Sequence, residues 1–294
     1  MDTDYKEVNV EKSYQSNDSV KEPIKRSRLR SKLGFLVYGI ERKLLWLKMR
    51  KSFARTFDTK PLEYQYFSHH TPMLRKLKDV DMWMQYNKVT NLKLACAKLN
   101  GIILKPGETF SYWYLIGNPT KRKGYKKGML LRNGGFEAGY GGGLCQLSNL
   151  IFWSAIHTPL TIVERYRHGY DVFPDSNRTQ PFASGATCAY PHIDLMIRND
   201  TEDTYQLLLN VGETDLEGQW RVNREPLCNY KIVERNHRMV SQFWGGYTRH
   251  NELYQQVYSK DGELIDDYLL LSNVAVMMYS PFLDAPPTSV NPDG

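Results

Sequence analysis

One stretch constrains the fold more than any other: Gly139-Tyr140-Gly141-Gly142-Gly143-Leu144-Cys145-Gln146-Leu147-Ser148-Asn149. Glycines at four of five consecutive positions free the backbone to take φ > 0 and to let another group come close. A cysteine follows almost at once, and then an apolar-rich run. Leu147, Leu150, Ile151 and Ser154 fall on one helix face, with Phe152, Trp153 and Ala155 beside them. The run stops at His157-Thr158-Pro159, where proline cannot continue a helix. The pattern predicts a glycine loop, a cysteine, then a helix of about three turns. Cys145 then sits at a helix N-terminus, where unpaired N–H groups and the helix dipole favour a thiolate. The alternative is a buried cysteine in a tight turn, with the glycines present for close packing.

The other cysteines, at 96, 188 and 228, form no C-x-x-C pair with Cys145 or each other. That argues against a small disulfide-stapled domain and a zinc ribbon, and suits a reducing compartment. A mixed site of Cys145, His168, Cys188 and His192 matches no zinc spacing. No metal and no cofactor are expected.

At 294 residues the chain suffices for one large domain or two small ones. Its 39 Lys and Arg against 32 Asp and Glu give a net charge of +7, and the excess is concentrated near the N-terminus. Residues 1–24 are polar and aperiodic, the composition of a disordered tail. Between 25 and 51 the basic residues far outnumber the acidic, and Leu36, Ile40, Lys43, Leu44 and Leu47 recur at helical spacing. Residues 25–60 therefore read as a basic amphipathic helical arm. It either lies on an anionic membrane surface or docks its apolar side on the main domain. No nucleic-acid motif accompanies it, so a nucleic-acid partner is not expected. The apolar octet at 33–40 is too short to span a membrane and lies too far in for a secretory signal. The expected location is cytoplasmic or peripheral to the inner membrane face, with no cleavable signal and no transmembrane segment.

Farther along, Asn91–Gly101 reads as a short helix ending on glycine. Ile102–Leu104 and Thr109–Trp113 read as strands around a turn at Pro106-Gly107-Glu108. Met129–Arg132 and Phe136–Ala138 form a hairpin across Asn133-Gly134-Gly135, feeding the glycine loop. Leu160–Tyr166, His192–Ile197 and Tyr205–Val211 have strand composition, residues 169–185 read as loop, and strand-like runs continue from Tyr230. The proline-containing C-terminus reads as a second disordered tail.

The order of cysteine, helix, strand, histidine, loop and strand is similar to that of thiol hydrolases and transglutaminase-like enzymes. On this reading Cys145 is the nucleophile and His168 the base. Asp194 or Asp171 orients the imidazole. Gly141, Gly142, Gly143, Gln146 and Ser148 line the substrate side, where helix N–H groups can bind an oxyanion. Equally, His168 reads as a loop histidine, and Asp194, alternating with Ile193 and Leu195, as the solvent side of a strand.

Pro106-Gly107-Glu108-Thr109-Phe110-Ser111, Gly141 to Asn149, His157-Thr158-Pro159-Leu160-Thr161-Ile162-Val163-Glu164-Arg165 and Asp194-Leu195-Met196-Ile197-Arg198-Asn199-Asp200 form four distinctive segments. Together they resemble the VanW family, named for an accessory protein of vancomycin-resistance gene clusters. The likeness covers roughly residues 40 to 215. It implies a context, the bacterial cell envelope and glycopeptide resistance, rather than a reaction. Two places depart from the pattern. Many members carry a further histidine where this chain has Tyr166, and an aspartate where it has Gly185.

The expected fold is α+β, with helices packed on a largely antiparallel sheet and a C-terminal β-rich extension. Residues 61–222 form the VanW-like domain, 223–282 the extension and 283–294 the tail. The expected partners are a cell-wall peptide, as substrate of a thiol amidase, peptidase or transpeptidase or as ligand of a non-catalytic accessory protein, and an anionic membrane contacted through residues 25–51.

Overall fold

The computed structural model describes residues 28–75, 81–132, 135–172 and 180–280. The two tails, residues 25–27 of the arm, the Asn133-Gly134 turn and most of the loop around Pro174 lie outside these.

Four α-helices and fourteen strands are found among the described residues, in an α+β arrangement dominated by antiparallel pairing. The helices are α1 (Arg28–Met49), α2 (Met82–Leu99), α3 (Tyr112–Ile116) and α4 (Cys145–Ala155). The central sheet runs β1 (Thr56–Phe57), β3 (Ile102–Leu104), β10 (Tyr205–Val211), β11 (Asp215–Val222) and β2 (Tyr64–Pro72). Its middle is a hairpin in which Tyr205 pairs with Val222 and Val211 with Leu216. A second sheet joins β4 (Thr109–Ser111), β9 (Met196–Arg198) and β7 (Thr161–Glu164). A two-stranded hairpin, β5 (Lys127–Arg132) with β6 (Gly135–Tyr140), delivers the chain to the glycine turn.

The α2 helix packs on β10, and α4 on β11 and β2. Leu92, Ala95, Cys96 and Leu99 repeat at i, i+3, i+4 and i+7 and are all buried. From α4, Leu147, Leu150, Ile151 and Phe152 enter the same core, and Trp220 and Tyr205 meet it from the sheet. Each such side chain contributes about 1.5–3 kcal/mol by leaving water.

The C-terminal extension is a meander of long strands, β12 (Cys228–Ser241), β13 (Tyr247–Ser259) and β14 (Leu264–Met277), with the short β8 (Tyr170–Asp171) added parallel to β14. Side-chain amides fasten it to the rest: Gln255 Nε2 donates to the Ile156 carbonyl at 2.6 Å and Asn251 Nδ2 to the Phe182 carbonyl at 2.7 Å.

Three local expectations need correction. The strand read over Thr109–Trp113 ends at Ser111, because Ser111 Oγ accepts from Tyr114 N and caps α3. The run His192–Ile197 is a strand only from Met196. Residues 169–185 are not all loop, since Tyr170 and Asp171 form β8.

Candidate functional site around Cys145

Cys145 is the first residue of α4. The turn before it is built tightly. Gly142 lies against Gly128 of β5, and a Cβ on Gly142 would sit well under 3.0 Å from the Gly128 carbonyl. Asn91 Nδ2 donates to the Gly142 carbonyl at 2.9 Å and so fixes the turn to α2. Gly143 has φ +89°, and a Cβ there would strike the stem of Lys88. Gly141 faces Pro119 in the same way. All three glycines are therefore enclosed by this chain's own atoms.

The helix start is similarly occupied. Gln146 N donates to the Gly143 carbonyl at 3.1 Å, and Leu147 N and Ser148 N both donate to the Leu144 carbonyl. These amides would otherwise be the orphan donors of a helix N-terminus. Gln146 Nε2 donates to Thr71 Oγ1 at 2.9 Å and to the Pro72 carbonyl at 3.0 Å, tying α4 to β2. Ser148 is fully buried and its hydroxyl donates to the Ala186 carbonyl at 2.6 Å.

The thiol of Cys145 faces Cys188, donating to its carbonyl at 3.5 Å. Burial pushes the Cys145 thiol up, and backbone hydrogen bonding at Cys188 only partly opposes this. Burial, with Cys145 close by, pushes the Cys188 thiol well above its ordinary range. Both effects disfavour a thiolate.

His168 is half-buried. Its carbonyl accepts from Arg167 Nη1 at 3.0 Å, and its ring makes no hydrogen bond among the described residues. Burial lowers its pKa, and the neighbouring Arg167 lowers it further. No hydrogen bond joins its ring to Cys145 among the described residues.

The candidate carboxylates each have other work. Asp194 is fully buried rather than solvent-facing. It accepts from Ser111 Oγ at 2.6 Å, from Trp113 N at 2.9 Å and from Leu195 N at 2.9 Å. Burial, together with the charge of Glu164, pushes its pKa up to about 7, against the pull of those donors and of Arg42. Asp171 is buried against Arg249 at 3.4 Å and accepts from the Tyr279 hydroxyl at 2.8 Å. No group of three or more His, Cys, Asp and Glu side chains is placed to hold a metal among the described residues.

A family model described as VanW like protein matches residues 87–221. The Vancomycin B-type resistance protein VanW of Enterococcus faecalis (strain ATCC 700802 / V583) is 38% identical over 227 residues, which are 77% of this chain and 82% of that protein. The chain belongs to the VanW family. Uncharacterized protein YoaR of Bacillus subtilis (strain 168) is 36% identical over 78 residues, 26% of each chain. No solved structure matches.

In this VanW-family protein the four motif segments come together in space. The first and last pair as β4 and β9, with Thr109 opposite Arg198 and Ser111 opposite Met196. The third ends in β7, on the other side of β9. Its last two residues are the ones that motif order alone did not explain. Glu164 holds Arg42 of α1. Arg165 donates to the carbonyls of Ala183 and Gly185 and to Asn273 Oδ1, and stacks on Phe152 at 5.0 Å. Adjacent opposite charges closing an apolar strand were the available signal. Arg165 thereby pins the segment that carries Cys188 onto α4.

The Gly185 departure also has a local cause. The Asn149 side chain occupies the space of a residue-185 side chain, since a Cβ there would lie under 3.0 Å from the Asn149 amide. Asn149 Oδ1 accepts from Ala186 N at 2.7 Å. At the other departure, Tyr166 is exposed, and its carbonyl accepts from Thr187 N at 2.8 Å.

Proposed function

We propose that this VanW-family protein is an accessory factor of glycopeptide (vancomycin) resistance at the bacterial cell envelope, and that it works by binding a cell-wall peptide rather than by thiol catalysis. The observation that carries the choice is the Cys145 thiol, which donates to the Cys188 carbonyl instead of to an imidazole. A nucleophilic thiol needs a lowered pKa or an adjacent base. The resistance context rests on the relative's name and the family match. The packing of Gly141, Gly142 and Gly143 against Pro119, Gly128 and Lys88 supports a structural role for the loop.

The competing reading is a thiol amidase, peptidase or transpeptidase with Cys145 as nucleophile, His168 as base and Asp194 or Asp171 behind it. What favours it is Cys145 at the first position of α4, together with a half-buried His168 whose ring makes no hydrogen bond among the described residues. One pair of variants separates the two. Under the binding reading, Cys145→Ser and His168→Ala chains restore vancomycin resistance to a strain lacking the protein as well as the parent does. Cys145 in the folded protein is then alkylated by iodoacetamide no faster at pH 6 than Cys96 or Cys188. Loss of resistance in both variants, with the fold intact and with selective alkylation of Cys145 that depends on His168, would reverse the choice.

A further inference from the structure

The α1 helix has two faces with opposite fates. On the inner face Gly39 and Arg42 are buried, and a Cβ on Gly39 would touch Pro191. Phe35 meets the His192 ring edge-on at 5.3 Å and Tyr38 stacks on it at 5.9 Å. Arg42 donates to Glu164 and to the His192 carbonyl. These contacts fix the rotation of the helix about its own axis.

On the outer face Leu33, Leu36, Val37, Ile40, Leu44 and Leu47 are each 50–61% exposed. Their spacing, i, i+3, i+4, i+7, i+11 and i+14, lines them along one side of the helix, opposite Arg42. At 22 residues the helix is about 33 Å long. A contiguous apolar stripe of this length, held outward by buried contacts, marks an interaction surface. The exposed Lys43 borders the stripe on one side, the exposed Glu41 and Lys48 lie on the other, and Arg50 and Lys51 follow at its end. No described helix is long and apolar enough to cross a membrane.

We propose that α1 is an in-plane membrane anchor that seats the protein on an anionic lipid surface. The leucine stripe enters the acyl boundary by about 5–10 Å, while Lys43, Arg50 and Lys51 reach the lipid phosphates. Charge decides the occupant. An apolar stripe with Lys43 along one side and Arg50 and Lys51 at its end complements a negatively charged bilayer, whereas a second copy of the same helix would bring like charges together. The inference stands apart from the question of thiol catalysis.

The test uses the full chain with vesicles of pure phosphatidylglycerol and of pure phosphatidylcholine. Flotation is expected to recover the protein with the anionic vesicles at low salt and to lose it as salt screens the lysines. The Leu36→Glu, Leu44→Glu variant is expected to bind on the order of a hundredfold more weakly. Because both side chains are exposed, its thermal midpoint should match the parent's. Lys43→Glu, Lys51→Glu is the second variant, and should lose the preference for anionic lipid. Equal binding to the two lipids, or anionic binding that survives both variants, would overturn the proposal. So would a parent that sediments as a dimer and becomes a monomer in the leucine variant, since the stripe would then be covered by a second copy.

Discussion

Arg42 of α1 grips Glu164 of β7 through two parallel N–H donors, at 2.7 and 2.5 Å, with both side chains nearly out of solvent. A third bond runs from Arg42 to the His192 carbonyl at 2.8 Å. The N-terminal helix is thereby joined to the strand that ends a family motif. Glu164 Oε1 also accepts from Asp194 N at 3.4 Å, so the pair extends into the network under α3.

Removing one partner leaves the other charge buried and alone. Arg42→Ala should therefore destabilise the protein by about 3–5 kcal/mol in urea unfolding. Replacing both, as Arg42→Met with Glu164→Gln, should cost less than the single change. If Arg42→Ala proves neutral, the pair does not hold the helix.

Asp194 sets a pH signature. Its carboxyl is held up to about 7 in the fold, against about 3.9 in an unfolded chain. The folded protein therefore keeps a proton that the unfolded chain has released. The stabilisation is full below about pH 4 and lost as pH rises toward about 7. Asp194→Asn should remove this slope, so the stability difference between variant and parent should grow from pH 5 to pH 8. A difference that is flat with pH would place the titration elsewhere.

His157 works in the opposite sense. It stacks on Phe67 with centroids 4.0 Å apart, with Nδ1 2.8 Å from the Trp153 carbonyl. Burial brings its pKa down to about 4, so its contribution is present above about pH 6.5 and lost as pH falls through about 4. His157→Phe should lower the pH of acid unfolding, read by near-ultraviolet circular dichroism. An unchanged acid midpoint would remove His157 from the account.

Gly185 and Asn149 compete for one volume. Gly185→Ala alone should cost about 1–3 kcal/mol, because the new methyl displaces the Asn149 amide from Ala186 N. Asn149→Ala should absorb part of that loss, giving a coupling of about 1 kcal/mol in a double-mutant cycle. Strict additivity would show that the two do not share the space.

Gly142→Ala should be the harsher glycine substitution. Its methyl would meet the Gly128 backbone, which has no side chain to move aside. A loss of about 3 kcal/mol is expected, against a much smaller effect at Gly169, where a Cβ would meet open space and φ is not in the left-handed region. Thermal melts of the two variants give the comparison.

Much of this was legible in the residues. The periodicity from Leu147 onward marked α4, with Cys145 at its start, and the composition of Tyr205–Val211 marked β10. Other features depend on partners far away in the chain. Asp194 sits between two apolar residues and resembles a strand's outer position. Its burial follows from donors on Ser111 and Trp113, which nothing local announces. The glycine run showed that something must come close. That the close neighbours are Gly128, Lys88 and Pro119 depends on the β5–β6 hairpin and α2 folding back over the turn. In α1 the spacing revealed an apolar stripe, but not that the opposite side would be the one to dock.

The order of the central sheet bears on how the chain leaves the ribosome. Its edges, β1 and β2, come from residues 56–72, while the strands between β3 and β2 are β10 and β11, more than 130 residues later. At about 5–20 residues per second, β2 emerges on the order of ten seconds before its only neighbour in the sheet has been made. During that interval its backbone donors and acceptors are open to any other strand. The nascent chain therefore carries an unpaired β2 until β11 is made, a consequence of sheet order rather than of any one residue.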